Sequence, residues 1–276
     1  MNPLRIWVLR AAAVAIAILL PTTGQSHEFW MLPQSFTLPV GSPVILTLTV
    51  GEDFMGDRVG ITRSLVSRLD LYAGGKRGQL KAAVPSSSVV AELTIPLSKP
   101  GTHLFALDTH PTSIVLPAEK FNDYLRQEGL DAVIRSRELS GSSARPGRER
   151  YQRNVKTLVL ADKVSDATYA TRTGQRLEIV PQTDPFTLQP GASLELLILF
   201  DGRPLADSLV KLWKAPGQPA VATQRTNRRG MVQFSVPAGG TWMASVVHML
   251  TVPDSAELDW DSYWGNLTFS AGSPKP

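Results

Sequence analysis

Val44-Ile45-Leu46-Thr47-Leu48-Thr49-Val50 is rich in β-branched residues and, toward its end, alternates apolar side chains with threonine. That pattern favours a half-buried strand. Segments of the same kind recur at short intervals between turn signals. Phe36-Thr37-Leu38 precedes Gly41-Ser42-Pro43, and Ser67 to Tyr72 precedes Gly74-Gly75 and a lysine-containing hairpin arm. Val89 to Ile95 and His103 to Leu107 read as a strand pair around the Lys99-Pro100-Gly101 turn. After Gly174 come Leu177 to Val180, Leu194 to Phe200, the Asp201-Gly202 turn, Leu209 to Trp213, Met231 to Val236 and Trp242 to Val247. Evenly spaced short strands with turns between them suggest sandwich architecture. The expected fold is mainly β: two Ig-like β-sandwich domains with a short helical insertion between them.

The insertion has its own punctuation. Pro117 suits a first helical position. Phe121, Tyr124 and Leu125 share a helical face, Gly129 suits a C′ stop, and Leu130, Val133 and Ile134 continue a second short stripe. The expected division is a signal peptide over 1–26, an N-terminal sandwich over 27–116, the helical insertion over 117–155, a connecting strand and linker over 156–172, and a C-terminal sandwich over 173–276.

The signal peptide rests on three parts. Arg5 and Arg10 give a positive start, Ala11 to Leu20 is an apolar run, and Pro21 ends it before the small residues around Gly24 and Ser26. The run is shorter than the roughly 20 residues that span a bilayer. No second long apolar run follows, so the mature chain is expected to be periplasmic and to have no transmembrane segment. Without the two signal arginines, 26 basic residues face 24 acidic ones. A net charge near zero gives no electrostatic footprint for nucleic acid. The chain has no cysteine, which excludes disulfides, thiolate metal sites and thiol catalysis.

Cleavage after Ser26 makes His27 the first residue. Its α-amine and imidazole Nδ1 can then close a chelate ring on one metal ion. The amine has a reference pKa near 7.7–8.0, so part of it is already neutral at neutral pH. Cleavage after Gly24 instead leaves Gln25-Ser26-His27, whose third-position imidazole suits Cu(II) or Ni(II). The chain has four histidines. His248 follows the strand Trp242 to Val247 where a loop is expected, a place where rigid scaffolds present ligands. His103 sits in an expected strand, and His110, before Pro111, reads as an exposed turn residue. Asp259 and Asp261, in Asp259-Trp260-Asp261-Ser262-Tyr263-Trp264, are candidate oxygen ligands or outer partners of a histidine. The candidate metal set is therefore His27, His248, His103, Asp259 and Asp261. Arg148, Arg150 and Arg153 have the chemistry to fork onto carboxylates or to pin the insertion to a sandwich.

His27-Glu28-Phe29-Trp30, Phe121 to Leu130, Arg148-Glu149-Arg150-Tyr151, Leu177 to Phe186, and Asp259 to Trp264 with Leu267-Thr268-Phe269 occur in this order. Together they resemble the exported domain-of-unknown-function family 4198, described as the periplasmic component of a cobalt or nickel uptake system. The resemblance implies a divalent transition metal as cargo, with nickel or cobalt favoured and copper or zinc open, and a membrane metal-uptake transporter as partner. Asp201 to Leu205, Thr226 to Gly230 and Val236 to Gly239 resemble a transthyretin-like or carboxypeptidase-regulatory module, usually non-catalytic. No nucleophile elbow, phosphate-cradling loop or His-Glu-x-x-His is present, and the expectation is a non-enzyme. Two alternatives stay open: a copper histidine brace built from His27 and His248, with oxidase or oxygenase activity, and a metal-free structural or interaction protein.

Overall fold

A computed structural model describes residues 28–189, 191–217, 219–237 and 239–272. The expected signal peptide and His27 lie outside the described residues. In chain order the elements are β1 (Glu28–Pro33), β2 (Thr37–Leu38), β3 (Pro43–Glu52), β4 (Met55–Arg58), β5 (Val66–Ala73), β6 (Lys76–Gln79), β7 (Glu92–Pro96), β8 (Gly101–Thr109), β9 (Thr112–Leu116), α1 (Ala118–Gln127) and α2 (Asp131–Leu139). The second half adds β10 (Gly147–Ala161), β11 (Leu177–Pro181), β12 (Ser193–Phe200), β13 (Arg203–Pro204), β14 (Leu209–Lys214), β15 (Ala222–Arg225), β16 (Met231–Ser235), β17 (Thr241–Thr251) and β18 (Trp260–Ser270). No helix among the described residues is long and apolar enough to cross a membrane.

The fold is mainly β, with sandwich layers, but one sheet is shared between its halves. A central ten-stranded sheet runs β15-β14-β17-β18-β10-β8-β5-β6, with β2 and β9 also on β10. Two smaller sheets cover parts of it: β1-β3-β4 with β7, and β11-β12-β13 with β16. Alternation along β10 explains how one strand serves both. Leu158 and Leu160 join the core under the second small sheet, with Ile179, Ile198, Trp242 and Phe269. Val155 and Val159 join the other core, with Leu46, Leu48 and Phe105. Side chains two residues apart share a face, so a long apolar strand can serve two cores only where both of its faces are covered.

The join between the halves is the parallel pairing of β10 with β18, Glu149 opposite Trp260 through Thr157 opposite Thr268. Arg148 forks onto Asp259 (Nε to Oδ2 3.0 Å, Nη2 to Oδ1 2.6 Å), and Arg150 forks onto Asp261 (2.7 and 2.7 Å). Arg153 stacks over the rings of Phe29 and Tyr151. The arginine-rich stretch therefore pins one strand to another rather than the helices to a sandwich. The expected break at 155/156 falls inside β10, whose fifteen residues form one uninterrupted strand.

The helices form where expected, with one change: Pro117 is the residue before α1, with extended ψ, not its first helical residue. Gly129 has φ +64° just past the end, the left-handed conformation glycine adopts without a Cβ penalty. Phe121, Tyr124 and Leu125 pack on Trp260, Trp264 and Val247 of the central sheet. The close approach needs Gly147, where a Cβ would meet the Phe121 ring at 2.3 Å. Asp201 and Gly202 make the β12–β13 turn with φ +48° and +76°, as a tight hairpin requires.

The strand pair expected around Lys99-Pro100-Gly101 does not form. β7 pairs with β3, whereas β8 pairs with β5 and β10. β7 alternates exposed and buried residues, but every residue of β8 is buried. Only the central sheet offers cover on both faces, so the chain changes sheets at this corner.

Candidate functional site

β1 begins the described chain and meets all three parts of the molecule. Its Phe29 and Met31 enter the core of the first sandwich. Its Trp30 faces the other way, against Phe54, Trp213 and Met243. The strand edge not paired to β3 is tied to the central sheet by side chains: Asn266 Nδ2 donates to the Phe29 carbonyl at 2.6 Å, and Thr157 Oγ1 donates to that of Met31 at 2.8 Å. Period-two alternation puts Glu28 on the Trp30 side, between β14, β17 and the end of α1.

Glu28 is only 6% exposed, and its Oε1 is buried with no hydrogen-bond partner. Ser245 of β17 bonds the carboxyl group and also accepts from Trp213 Nε1 at 2.9 Å. Glu128, which caps α1, is held by Lys211 of β14 at 2.7 Å. Glu28, Glu52, Asp53, Glu128, Lys211 and Trp213 line a cavity of about 360 Å³. Four carboxylates thus face one ammonium. Burial, reinforced by the Glu128 carboxylate and opposed by Lys211, lifts the Glu28 carboxyl to about 7. Burial also raises that of Glu128, against the pull of Lys211. A buried acid left half-satisfied at a cavity marks a candidate site.

Of the candidates named from the sequence, the four among the described residues, His248, His103, Asp259 and Asp261, do not gather here. His248 lies within β17, opposite Tyr263, rather than at a strand end, because the strand continues to Thr251. Its ring lies against Phe200, with centroids 4.5 Å apart, and burial lowers its pKa. It shares a face with Val246 and Ala244 in the core under the second small sheet. Ser245, and with it Glu28, belongs to the opposite face. His103 is 2% exposed, bonded through Nδ1 to the Gly101 carbonyl at 3.1 Å. From the register, His103 and His248 stand three strands and seven residues apart, roughly 14 Å across the sheet and roughly 23 Å along it. They cannot share an ion.

Asp259 and Asp261 are each engaged by an arginine fork, as described above. The forked hydrogen bonds from Arg148 hold the Asp259 carboxyl below its usual range. A metal at either residue would first have to displace a guanidinium. Among the described residues no group of three or more His, Cys, Asp or Glu side chains is arranged to hold a metal ion.

Sequence reasoning passed over Glu28, Glu128, Lys211 and Trp213. A signal did exist: Lys211 is a lone charge between Val210 and Leu212 in an apolar strand, and Glu28 heads a strand of large apolar residues. Charges in such positions are seldom buried without a partner or a task.

The fold and this junction define a two-sandwich β protein with a shared sheet and a helical insertion. The chain belongs to the family of the domain of unknown function DUF4198, whose model matches residues 24–250. No curated protein matches. Among solved structures, the D0-D1 domain of Intimin aligns at 12% identity over 88% of this chain and 99% of its own, with a TM-score of 0.22. The human OSCAR ligand-binding domain aligns at 11% over 85% and 95%, with a TM-score of 0.20, and murine CEACAM1b at 9% over 90% and 99%, with 0.21. Likeness at this level carries nothing about function.

Proposed function

We propose that this is an exported, periplasmic metal-binding protein that captures a divalent late first-row metal, with nickel or cobalt favoured, and passes it to a membrane uptake system. The observation that carries the reading is Glu28: a buried carboxylate with a partnerless oxygen, lining an acidic cavity, and peptide-bonded to His27. Processing after Ser26 would deliver an amine and an imidazole next to that carboxylate. Nitrogen and oxygen donors without thiolate suit Ni, Co, Cu or Zn. Glu128 is already paired with Lys211, so Glu28 is the carboxylate with capacity to spare. His27 and Glu28 would hold the ion, and the surrounding acids would favour its charge.

The test is a calorimetric titration of Ni(II) and Cu(II) into the chain that starts at His27, the chain with one added N-terminal residue, His27→Ala and Glu28→Gln. The added residue removes the terminal amine from the chelate and leaves every other group in place. Each change is expected to weaken binding at least about tenfold, about 1.4 kcal/mol, and His248→Ala to leave it unchanged. Ligand protons must leave on binding, so affinity should fall between about pH 7.5 and about pH 5.5, through the histidine range. Equal affinity for the processed and extended chains would remove the N-terminal histidine from the site and put a metal-free interaction role first.

A further inference from the structure

A second cavity lies between α2, the loop that follows it, the β9 edge and the start of β18. Its volume is about 700 Å³, and it shares no lining residue with the Glu28 cavity. That size suits a small-molecule ligand. Three guanidiniums, Arg137, Arg145 and Arg148, line it against one carboxylate, Asp259. Asp259 is already used: it accepts from Nε, Nη2 and the backbone N–H of Arg148. Arg137 is 2% exposed and fixed by the Asn122 side chain and the Arg145 carbonyl, so its charge stays in the wall. Arg145 is exposed, and its guanidinium has no partner among the described residues. Ser136, Ser140, Ser142 and Ser255 also line the space; the Ser140 and Ser142 hydroxyls are already bonded to the Arg137 carbonyl and to each other.

Trp260 forms part of the same wall through its ring. Trp260 is 6% exposed, and its Nε1 is a buried N–H with no acceptor. Val115, Val252 and Leu258 supply apolar wall between the polar groups. Surplus donors, an excess of two positive charges and hydrocarbon between them match a small carbon skeleton that carries several acceptor oxygens.

We propose that this cavity binds a small organic polycarboxylate, with Arg145 as the principal charge contact and the hydroxyls of Ser136 and Ser255 as further donors. Guanidinium groups meet carboxylates in a planar two-bond fork. Inorganic phosphate would leave the apolar wall uncovered. The site is independent of the metal reading: neither His27 nor Glu28 belongs to it.

The experiment is calorimetric titration of propane-1,2,3-tricarboxylate into the purified protein in metal-free, low-salt buffer, beside inorganic phosphate and glycerol. The expected result is saturable tricarboxylate binding, at least about tenfold weaker phosphate binding, and none for glycerol. Arg145→Glu should weaken tricarboxylate binding at least about tenfold while the unfolding midpoint stays put. Added salt should weaken binding in the wild type. Arg145→Gln removes the charge with little change in size, so it should weaken tricarboxylate binding in the same direction even if Arg145→Glu fails to fold. The proposal is overturned by absence of saturable tricarboxylate binding, by equal phosphate affinity, or by unchanged affinity in Arg145→Glu or Arg145→Gln.

Discussion

Two buried charged clusters flank the central sheet, and they are built to opposite standards. Lys156 and Glu178 are each 1% exposed and meet at 2.6 Å. Lys156 Nζ also donates to the Ile179 carbonyl at 3.0 Å. Glu178 accepts from the Thr173 N–H and hydroxyl and from the Gly174 N–H. The ammonium and both carboxylate oxygens are engaged, so the pair ties β10 to β11 without inviting a ligand. The Glu28 cluster has two buried acids for one lysine, a carboxylate oxygen with no partner and a cavity beside it. Burial of charge alone does not separate a tie from a site. Completeness of the hydrogen bonding and access to space do.

The largest effect should come from breaking the complete cluster. Lys156→Met leaves Glu178 buried without its cation, and loss of one partner of a buried pair typically costs about 3–5 kcal/mol. The double change Lys156→Met with Glu178→Leu should recover only part of this, because the Thr173 and Gly174 N–H groups then lose their acceptor. Urea unfolding of the three chains measures both. A single change that costs under about 1 kcal/mol would mean that the pair contributes no more than a surface bridge.

The two acids should also respond to pH with opposite sign. Burial opposes ionisation of Glu178, but Lys156 and the Thr173 donors outweigh it and depress its pKa. Its contribution is present above the ordinary carboxyl range and is lost as pH falls. Glu28 is raised from 4.5 to about 7, so its folded state holds a proton that the unfolded chain releases. Its contribution is present below 4.5 and is lost as pH rises through 7. In the metal-free protein, Glu28→Gln should therefore gain on wild type between about pH 5 and about pH 8, by up to roughly 3 kcal/mol. Glu178→Gln should approach wild type as pH falls below the carboxyl range. Unfolding midpoints at several pH values check both signs. A Glu28→Gln advantage independent of pH would show that the buried acid does not titrate in this window.

Most core strands and both helices were legible because period-two and three-to-four-residue patterns are local, but β4, β9, β15 and β18 were not read as strands. The assignment of strands to sheets was not. Val89 to Ile95 and His103 to Leu107 looked like neighbours around a turn, yet they belong to different sheets, because coverage of both faces of β8 depends on strands far away in the chain. The β10–β18 join was half visible: Arg148-Glu149-Arg150 and Asp259-Trp260-Asp261 are complementary, but 111 residues separate the paired residues. For the site, the sequence drew attention to His27 and its neighbourhood. It did not reveal that Glu28 points at Lys211 and Glu128, because three separate elements bring those side chains together. His248 was misplaced because the strand was ended at Val247, four residues before its end at Thr251.

The smallest effect tests whether burial is the deciding variable. The Arg150–Asp261 fork has contacts of 2.7 Å, nearly as short as the 2.6 Å of Lys156–Glu178. It links the same strand, β10, to a neighbour. What differs is exposure: the two side chains are 43% and 20% exposed, against 1% and 1%. Water competes for the exposed fork and screens it, so its coupling should be about 0.2–1 kcal/mol and should shrink as salt is added. The buried pair should couple more strongly and be nearly indifferent to salt. A double-mutant cycle with Arg150→Ala and Asp261→Ala, read by urea unfolding at low and high salt, supplies the number. A salt-independent coupling above about 2 kcal/mol would mean that cross-strand geometry, rather than removal from water, sets the strength of these pairs. The contrast between the two buried clusters would then have to rest on the partnerless oxygen of Glu28 alone.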